Sequence, residues 1–214
     1  MIRSICRTAI LSLFLVGSVG LAAKSVSAQE SAGFRPLFNG KDLTGWVTPE
    51  DKSLFTVENG EIVGRTNDKP LKKNEFLATD KSYGDFVLKA KVKIRNGNSG
   101  IQFRSDRKPD GVVSGPQADV ADDQWGLLYE ERRRGMLDRY PLEKAKKLLN
   151  ADGWNEFVIT AKGSHVTIDL NGTRIIDRDD PKFDKEGIIA LQIHVWKEPM
   201  EVRFKDIEIK DLTP

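Results

Sequence analysis

Asp85–Arg95 reads DFVLKAKVKIR, and its periodicity decides the fold. Phe86, Leu88, Ala90, Val92 and Ile94 alternate with Lys89, Lys91, Lys93 and Arg95. A period of two puts the apolar set on one side of a strand and the cations on the other. A helix, at 3.6 residues per turn, would spread both around its circumference. The strand is therefore half buried, with a solvated basic row that discourages edge pairing.

Outward from this strand the same signal recurs. Downstream, Trp154–Ala161 is another strand. His165–Leu170, Asn171-Gly172 and Thr173–Asp177 give the strongest hairpin signal, with Val166, Ile168 and Leu170 on the buried side. Asn171-Gly172-Thr173 also matches a glycosylation acceptor, but the turn accounts for it better. Gly187–Trp196 and Met200–Lys210 close the sequence. In the latter the apolar parity passes from Val202 and Phe204 to Ile207 and Ile209, which predicts a bulge near Asp206. Upstream, Phe55–Val57, the Asn59-Gly60 turn and Glu61–Val63 form a hairpin, and Phe76–Ala78 a short strand. Only one short helix is expected, Leu142–Leu149 behind Pro141. Many short strands with regular turns, and no repeat or linker, predict one all-β domain, an antiparallel sandwich or jelly roll.

The first 28 residues stand apart. Arg3 and Arg7 form a basic start, Ile10 to Ala23 an apolar run, and Val26-Ser27-Ala28 a small-residue cleavage site. This is the pattern of a secretory signal peptide over 1–28, and the single domain is then 29–214. The apolar run is short for a membrane span, so no span is expected after signal removal, and the protein is expected to be exported, periplasmic or secreted. Removal takes three basic residues (Arg3, Arg7, Lys24) and no acidic one, so the formal charge of +2 becomes about −1. Cys6, the sole cysteine, leaves as well. The mature chain then has no disulfide available and relies on its core. Near-neutral charge gives no reason to expect nucleic acid or an anionic membrane as partner.

Three strands depart from ordinary patterning. In Asn98–Arg104, Ile101 and Phe103 share one side, Gln102 and Arg104 the other. In Gly115–Val120, Gln117 and Asp119 oppose Ala118 and Val120. In Gly187–Trp196, Gln192 and His194 oppose Leu191, Ile193 and Val195. Solvated faces usually carry Lys, Glu and Thr. A glutamine repeatedly paired with Arg, Asp or His suits a concave face that meets a sugar. Gly115 also opens GPQADVADDQWGLLYEERRR, which adds Trp125, Tyr129, Glu130, Glu131 and Arg132–Arg134. A charged surface loop would explain that run equally simply.

The motifs GNSGIQFRS, GPQADV with WGLLYEERRR, WNEFVITAKG, LNG, and GIIALQIHV before MEVRFKDIEIKDL, together with the opening PLFNGKDLTGW, resemble the 3-keto-disaccharide hydrolase domain. That family is also described as 3-keto-glucoside 1,2-lyase/3-keto-2-hydroxy-glucal hydratase. The resemblance runs from about Phe34 to Leu212 and implies a concanavalin-like jelly roll of two antiparallel sheets, exported and acting on carbohydrate. One departure stands out: members commonly carry an acidic residue, then a glutamine two positions on, where this chain has Gln117 and Asp119. A role for that acidic residue does not transfer to Gln117. Laminarinase-type glucanases are also disfavoured, because they need alternate acidic residues on one strand.

A 3-keto glycoside has an acidified hydrogen on C2. A base removes it, the C1 substituent leaves by elimination, and water adds to the glucal, so the net change is hydrolysis. The chemistry needs a base, an electrophile for the enediolate and a proton donor. The expectation is His194 as base, Arg104 as electrophile, and Tyr129 or Glu130 as donor. Alternatively a divalent metal ion (Ca, Mn or Zn not distinguished) held by Asp119 and His194 is the electrophile, and Asp119 or Glu130 is the base. Gln102, Gln117, Trp125, Gln192 and Arg133 would bind the oligosaccharide or glycoside. No organic cofactor is expected. The rival expectation is a carbohydrate-binding module without chemistry, in which Asp119, Asp122 and Asp123 hold a structural calcium. A structural or adhesion domain of the envelope is a third reading, and it predicts no polar concave face.

Overall fold

In the computed structural model, residues 33–66, 70–121 and 123–212 are described. The expected signal peptide over 1–28, and Asp122, lie outside them. Two antiparallel sheets face each other. The first contains β1 (Arg35–Pro36), β3 (Phe55–Glu58), β4 (Glu61–Arg65), β6 (Phe86–Arg95), β11 (Asn155–Lys162), β12 (His165–Leu170), β13 (Thr173–Asp179) and β15 (Glu201–Asp211). Its order is β13-β12-β11-β6-β15-β4-β3, with β1 also on β15. The second contains β2 (Trp46–Val47), β5 (Glu75–Thr79), β7 (Asn98–Arg107), β8 (Val113–Ala121), β9 (Leu127–Glu131), β10 (Gly135–Arg139) and β14 (Ile188–Ile193). Its order is β10-β9-β8-β7-β14-β5-β2. Among the described residues no helix is long and apolar enough to cross a membrane.

The core lies between the sheets. Phe86, Leu88, Ala90 and Val92 of β6 are fully buried and pack with Phe157 and Ile159 of β11, Ile101 and Phe103 of β7, and Leu191 and Ile193 of β14. Each of these side chains except Ala90 contributes about 1.5–3 kcal/mol on burial. The lysines that alternate with them on β6 stay outside. Lys91 pairs with Asp206 at 2.9 Å, and Lys93 and Lys205 lie over the Trp154 ring.

The Asn-Gly turns and the late bulge form as expected. Asn59 and Asn171 take φ of 52° and 47°, each followed by a glycine at positive φ. Asn171 also donates to Leu148 O and Asn155 Oδ1, both at 2.8 Å, which ties the turn to the start of β11 and the segment before it. At Asp206 (φ 49°) the register on β6 shifts, and Phe204, Ile207 and Ile209 are all buried.

Two expectations need correction. The helix, α1, covers only Leu142–Lys146, and residues 147–149 continue as i→i+3 turns. The charged run after Trp125 is a hairpin rather than a long loop. β9 and β10 pair across a turn in which Arg132 (φ 57°) and Gly135 (φ 76°) reverse the chain.

Candidate active site

The alternation that sends Ile101, Ala118, Val120, Leu128 and Leu191 into the core sends their neighbours to the other face of the second sheet. There a hollow of about 270 Å³ is lined by Asn98, Gln117, Asp119, Gln124, Leu127, Tyr129, Glu131 and His194. The residues come from β7, β8, the β8–β9 turn, β9 and the position just after β14, and these strands are neighbours in the sheet. The polar concave face that the adhesion reading lacks is therefore present.

Its floor is a chain of buried amides. Gln102 Nε2 donates to Gln117 Oε1 at 3.1 Å. Gln117 Nε2 donates to Asp119 Oδ1 and, at 3.3 Å, to Gln192 Oε1. Gly100 makes room for this arrangement: a Cβ there would meet Gln117 Cγ at 2.5 Å and Nε2 at 2.6 Å. Three buried polar atoms of the same face, Asn98 Oδ1, Gln102 Oε1 and Gln192 Nε2, have no protein partner. Buried polar groups are normally paired, so three on one face mark capacity held for a polar ligand.

Of the titratable groups that line the hollow, Asp119 and His194 bear most on its chemistry. Asp119 is 5% exposed. Burial pushes its carboxyl up to about 7 against the opposing Gln117 hydrogen bond, the charges of Glu131 and Asp123 add to the rise, and Arg139 opposes it. His194 has its Nδ1 2.7 Å from Val195 O. A carbonyl only accepts, so a proton sits on Nδ1, and Nε2 is the ring nitrogen left to face a ligand.

The sequence-predicted residues divide into two groups. Asp119, His194, Gln117 and Tyr129 meet in the hollow, and Gln102 and Gln192 support it through Gln117. Arg104 does not join them. Arg104 takes φ 44° at a bulge where the β7–β8 register shifts between Gln102 and Asp106, so strict alternation ends one residue too soon. Its guanidinium is fully buried and reaches Gly84 O (2.9 Å), Gly163 O (2.6 Å), Asp184 O (3.3 Å) and Asp85 (2.6 Å). Desolvation lowers its pKa, with Asp85 opposing. Arg104 is thus a pin within the sandwich. Gly187 permits the bulge, since a Cβ there would lie 2.6 Å from Ser105 N.

Glu130 points opposite to Tyr129 and is bound by Arg134, which also holds Asp180 at 2.7 Å. Arg133 pairs with Asp184 at 2.6 Å and donates to Ser114 Oγ at 3.1 Å, and it does not line the hollow. Trp125 stacks on Phe157, centroids 5.9 Å apart, as a core residue. Asn98, Gln124, Leu127 and Glu131 were missed. Parity along β9 separates Leu127, Tyr129 and Glu131 from Leu128 and Glu130, and parity along β7 groups Asn98 with Gly100 and Gln102, so these two rules find three of the four; Gln124 lies in the β8–β9 turn, which strand parity does not reach.

The fit to a metal ion is incomplete. Among the described residues no three of His, Cys, Asp and Glu stand together where they could hold one. Asp119 and His194 supply two donors where catalytic zinc-type sites use three.

A polar hollow with an amide floor, on one face of a jelly-roll sandwich, defines a carbohydrate-acting domain with a glycosyl-hydrolase-like fold. Residues 33–210 match the 3-keto-alpha-glucoside-1,2-lyase-like domain, and the chain belongs to that family. A provisionally named glycosyl hydrolase from Parabacteroides distasonis superposes with a TM-score of 0.65 at 25% identity, over 86% of this chain and 96% of its own. Carbohydrate-binding module CBM66 from Bacillus subtilis gives 0.56 at 20% identity, over 78% and 96%. A Bacillus licheniformis beta-glucanase gives 0.58 at 10% identity, over 83% and 96%. The last two show the fold alone. Among curated proteins none matches this chain.

Proposed function

We propose that the hollow binds a 3-keto glycoside and cleaves it by elimination followed by hydration, in an exported protein. The observation that carries this reading is the buried Asp119 carboxyl, held at about 7 over an amide floor and sharing its hollow with His194. Ordinary glycosidases need two carboxylates flanking the glycosidic bond. A 3-keto sugar needs one base poised near neutrality.

Asp119 lies on β8, in the middle of the hollow, and takes the hydrogen from C2. This exchanges the roles expected from sequence, where His194 was the first choice. The C2–H electrons form the C2=C3 bond, and the carbonyl pair moves onto the C3 oxygen. As the C3 carbonyl re-forms, C1=C2 forms and the C1–O bond breaks; protonated His194 gives the Nε2 proton to the departing oxygen. Water then adds across C1=C2, hydroxyl to C1 and hydrogen to C2, giving the free 3-keto sugar. Gln102 Oε1, Gln192 Nε2 and Asn98 Oδ1 are available to hold ring hydroxyls.

The test is incubation with 3-keto-glucosides, with and without chelator and with added divalent cations, followed by mass spectrometry. The expected product is the 3-keto sugar, with a transient species lighter by one water. Asp119→Asn and His194→Ala should each lose about 10²–10⁴-fold in kcat. Turnover near wild type in both variants sinks the assignment. The amide floor also supports a second reading, a binding module without chemistry. Saturable sugar affinity with no product from any 3-keto substrate would favour it.

A further inference from the structure

The proposed reaction places negative charge on the C3 oxygen, yet the hollow is lined by the carboxylates Asp119 and Glu131 and by no lysine or arginine. With Arg104 withdrawn into the sandwich, the enediolate has no cation among the lining residues. Resting on that reading, we infer that Arg139 reaches over the hollow from β10 and holds the C3 oxyanion.

The placement follows from register. Arg139 lies directly opposite Leu127 on β9, and opposed residues of an antiparallel pair share a face. Leu127 lines the hollow. Ala118 of β8 opposes Leu128, so the next position, Asp119, falls beside Leu127. Asp119, Leu127 and Arg139 thus form one row across three strands. Arg139 Nη2 donates to Gln124 Oε1 at 2.8 Å, and Gln124 is itself a lining residue. The Arg139 charge is felt at Asp119.

Among the described residues Arg139 forms no ion pair, although its neighbours in sequence do. Arg133 is spent on Asp184, and Arg134 on Glu130 and Asp180. An exposed guanidinium braced by one neutral amide keeps most of its N–H fork free for an oxyanion. The order across the sheet is also consistent with the sugar. Arg139 on β10, Asp119 on β8 and His194 beyond β14 follow one another as the C3 oxygen, the C2 hydrogen and the C1 oxygen do. In the step itself the C2–H bond breaks toward Asp119, C2=C3 forms, and the charge left on the C3 oxygen is neutralised by Arg139.

Two probes test this with wild type, Arg139→Ala and Arg139→Lys. The first is steady-state hydrolysis of a 3-keto-glucoside. The second is C2 hydrogen exchange in D₂O, followed by NMR, on a 3-keto-1,5-anhydro sugar that has no C1 substituent to expel. Arg139→Ala should lose about 10²-fold in both kcat and exchange, with KM within about threefold, while Arg139→Lys recovers part of the loss by keeping the charge. If wild type is active and Arg139→Ala keeps kcat and exchange, Arg139 is not the electrophile and the function stands. A loss of thermal stability and a higher KM, with kcat unchanged, makes Arg139 a brace and overturns the role as well. If wild type neither cleaves nor exchanges, the function itself fails, and this role with it.

Discussion

Asp119→Asn should make the protein more stable above neutral pH while removing its activity. The carboxyl ionises at 3.8 in the unfolded chain and at about 7 in the folded one. Between those values the folded state holds more protons than the unfolded state, so stability falls as pH rises. The contribution is complete below 3.8 and is lost as pH passes through about 7. At about 1.4 kcal/mol per pH unit, the ionised carboxylate costs the fold about 4 kcal/mol by pH 8. The amide keeps the acceptor for Gln117 and carries no charge to desolvate, so Asp119→Asn escapes that cost. Urea unfolding of the two proteins at pH 4 and pH 8 measures it. With a urea m-value of about 2 kcal/mol per M, the variant's midpoint should exceed wild type by about 2 M at pH 8 and nearly coincide at pH 4. The charged and titratable groups around Asp119, namely Glu131, Asp123, Arg139, Tyr129 and His194, are common to both proteins, so their own effects largely cancel in the comparison. An equal gap at both pH values, or a less stable variant at pH 8, would refute the claim that burial holds this carboxyl near neutrality.

Other outcomes follow from the same geometry. Arg104→Ala should cost about 3 kcal/mol in urea unfolding, near the low end for a broken buried pair because Asp85 keeps some solvent contact. The folded fraction should keep its catalytic constants, and a loss of kcat without loss of stability would return Arg104 to the site. Gly100→Ala should displace Gln117 from the floor, weaken sugar binding at least tenfold by calorimetry, and lower stability by about 1–3 kcal/mol through overpacking. Unchanged affinity there would mean that Gln117 is not part of the floor. Glu131→Gln removes a charge that raises the Asp119 value, so the pH–rate limb assigned to Asp119 should move to lower pH. Glu130→Gln should leave that limb in place and lower stability instead, since Glu130 is committed to Arg134. A limb that moves with Glu130 and not with Glu131 would reverse the assignment.

Much of the molecule was legible before any coordinates. Alternation in Phe86–Arg95, the two Asn-Gly hairpins and the parity switch at Asp206 depend on backbone geometry, which acts over two to four residues and so is written locally. The same local rule joined Gln102, Gln117, Asp119, Gln192 and His194, because it needs only that each strand bury its apolar side. It failed at Arg104, where a single left-handed residue turned a side chain to the opposite face. It was not carried through Glu130 and Glu131, so Glu130 stood in the expected site although Glu131 is the one that lines the hollow.

By itself the sequence determined the two-faced strands, the family and the chemical types available to the site. Tertiary structure alone decided which of those groups meet. Strand order brings β9, β8, β7 and β14 side by side, although β14 begins more than fifty residues after β9 ends. Burial, a property of the assembled sandwich, pushes Asp119 toward neutrality and makes Arg104 a structural pin. The physical reason is range: strand periodicity is set by neighbours along the chain, whereas desolvation and charge are set by neighbours in space.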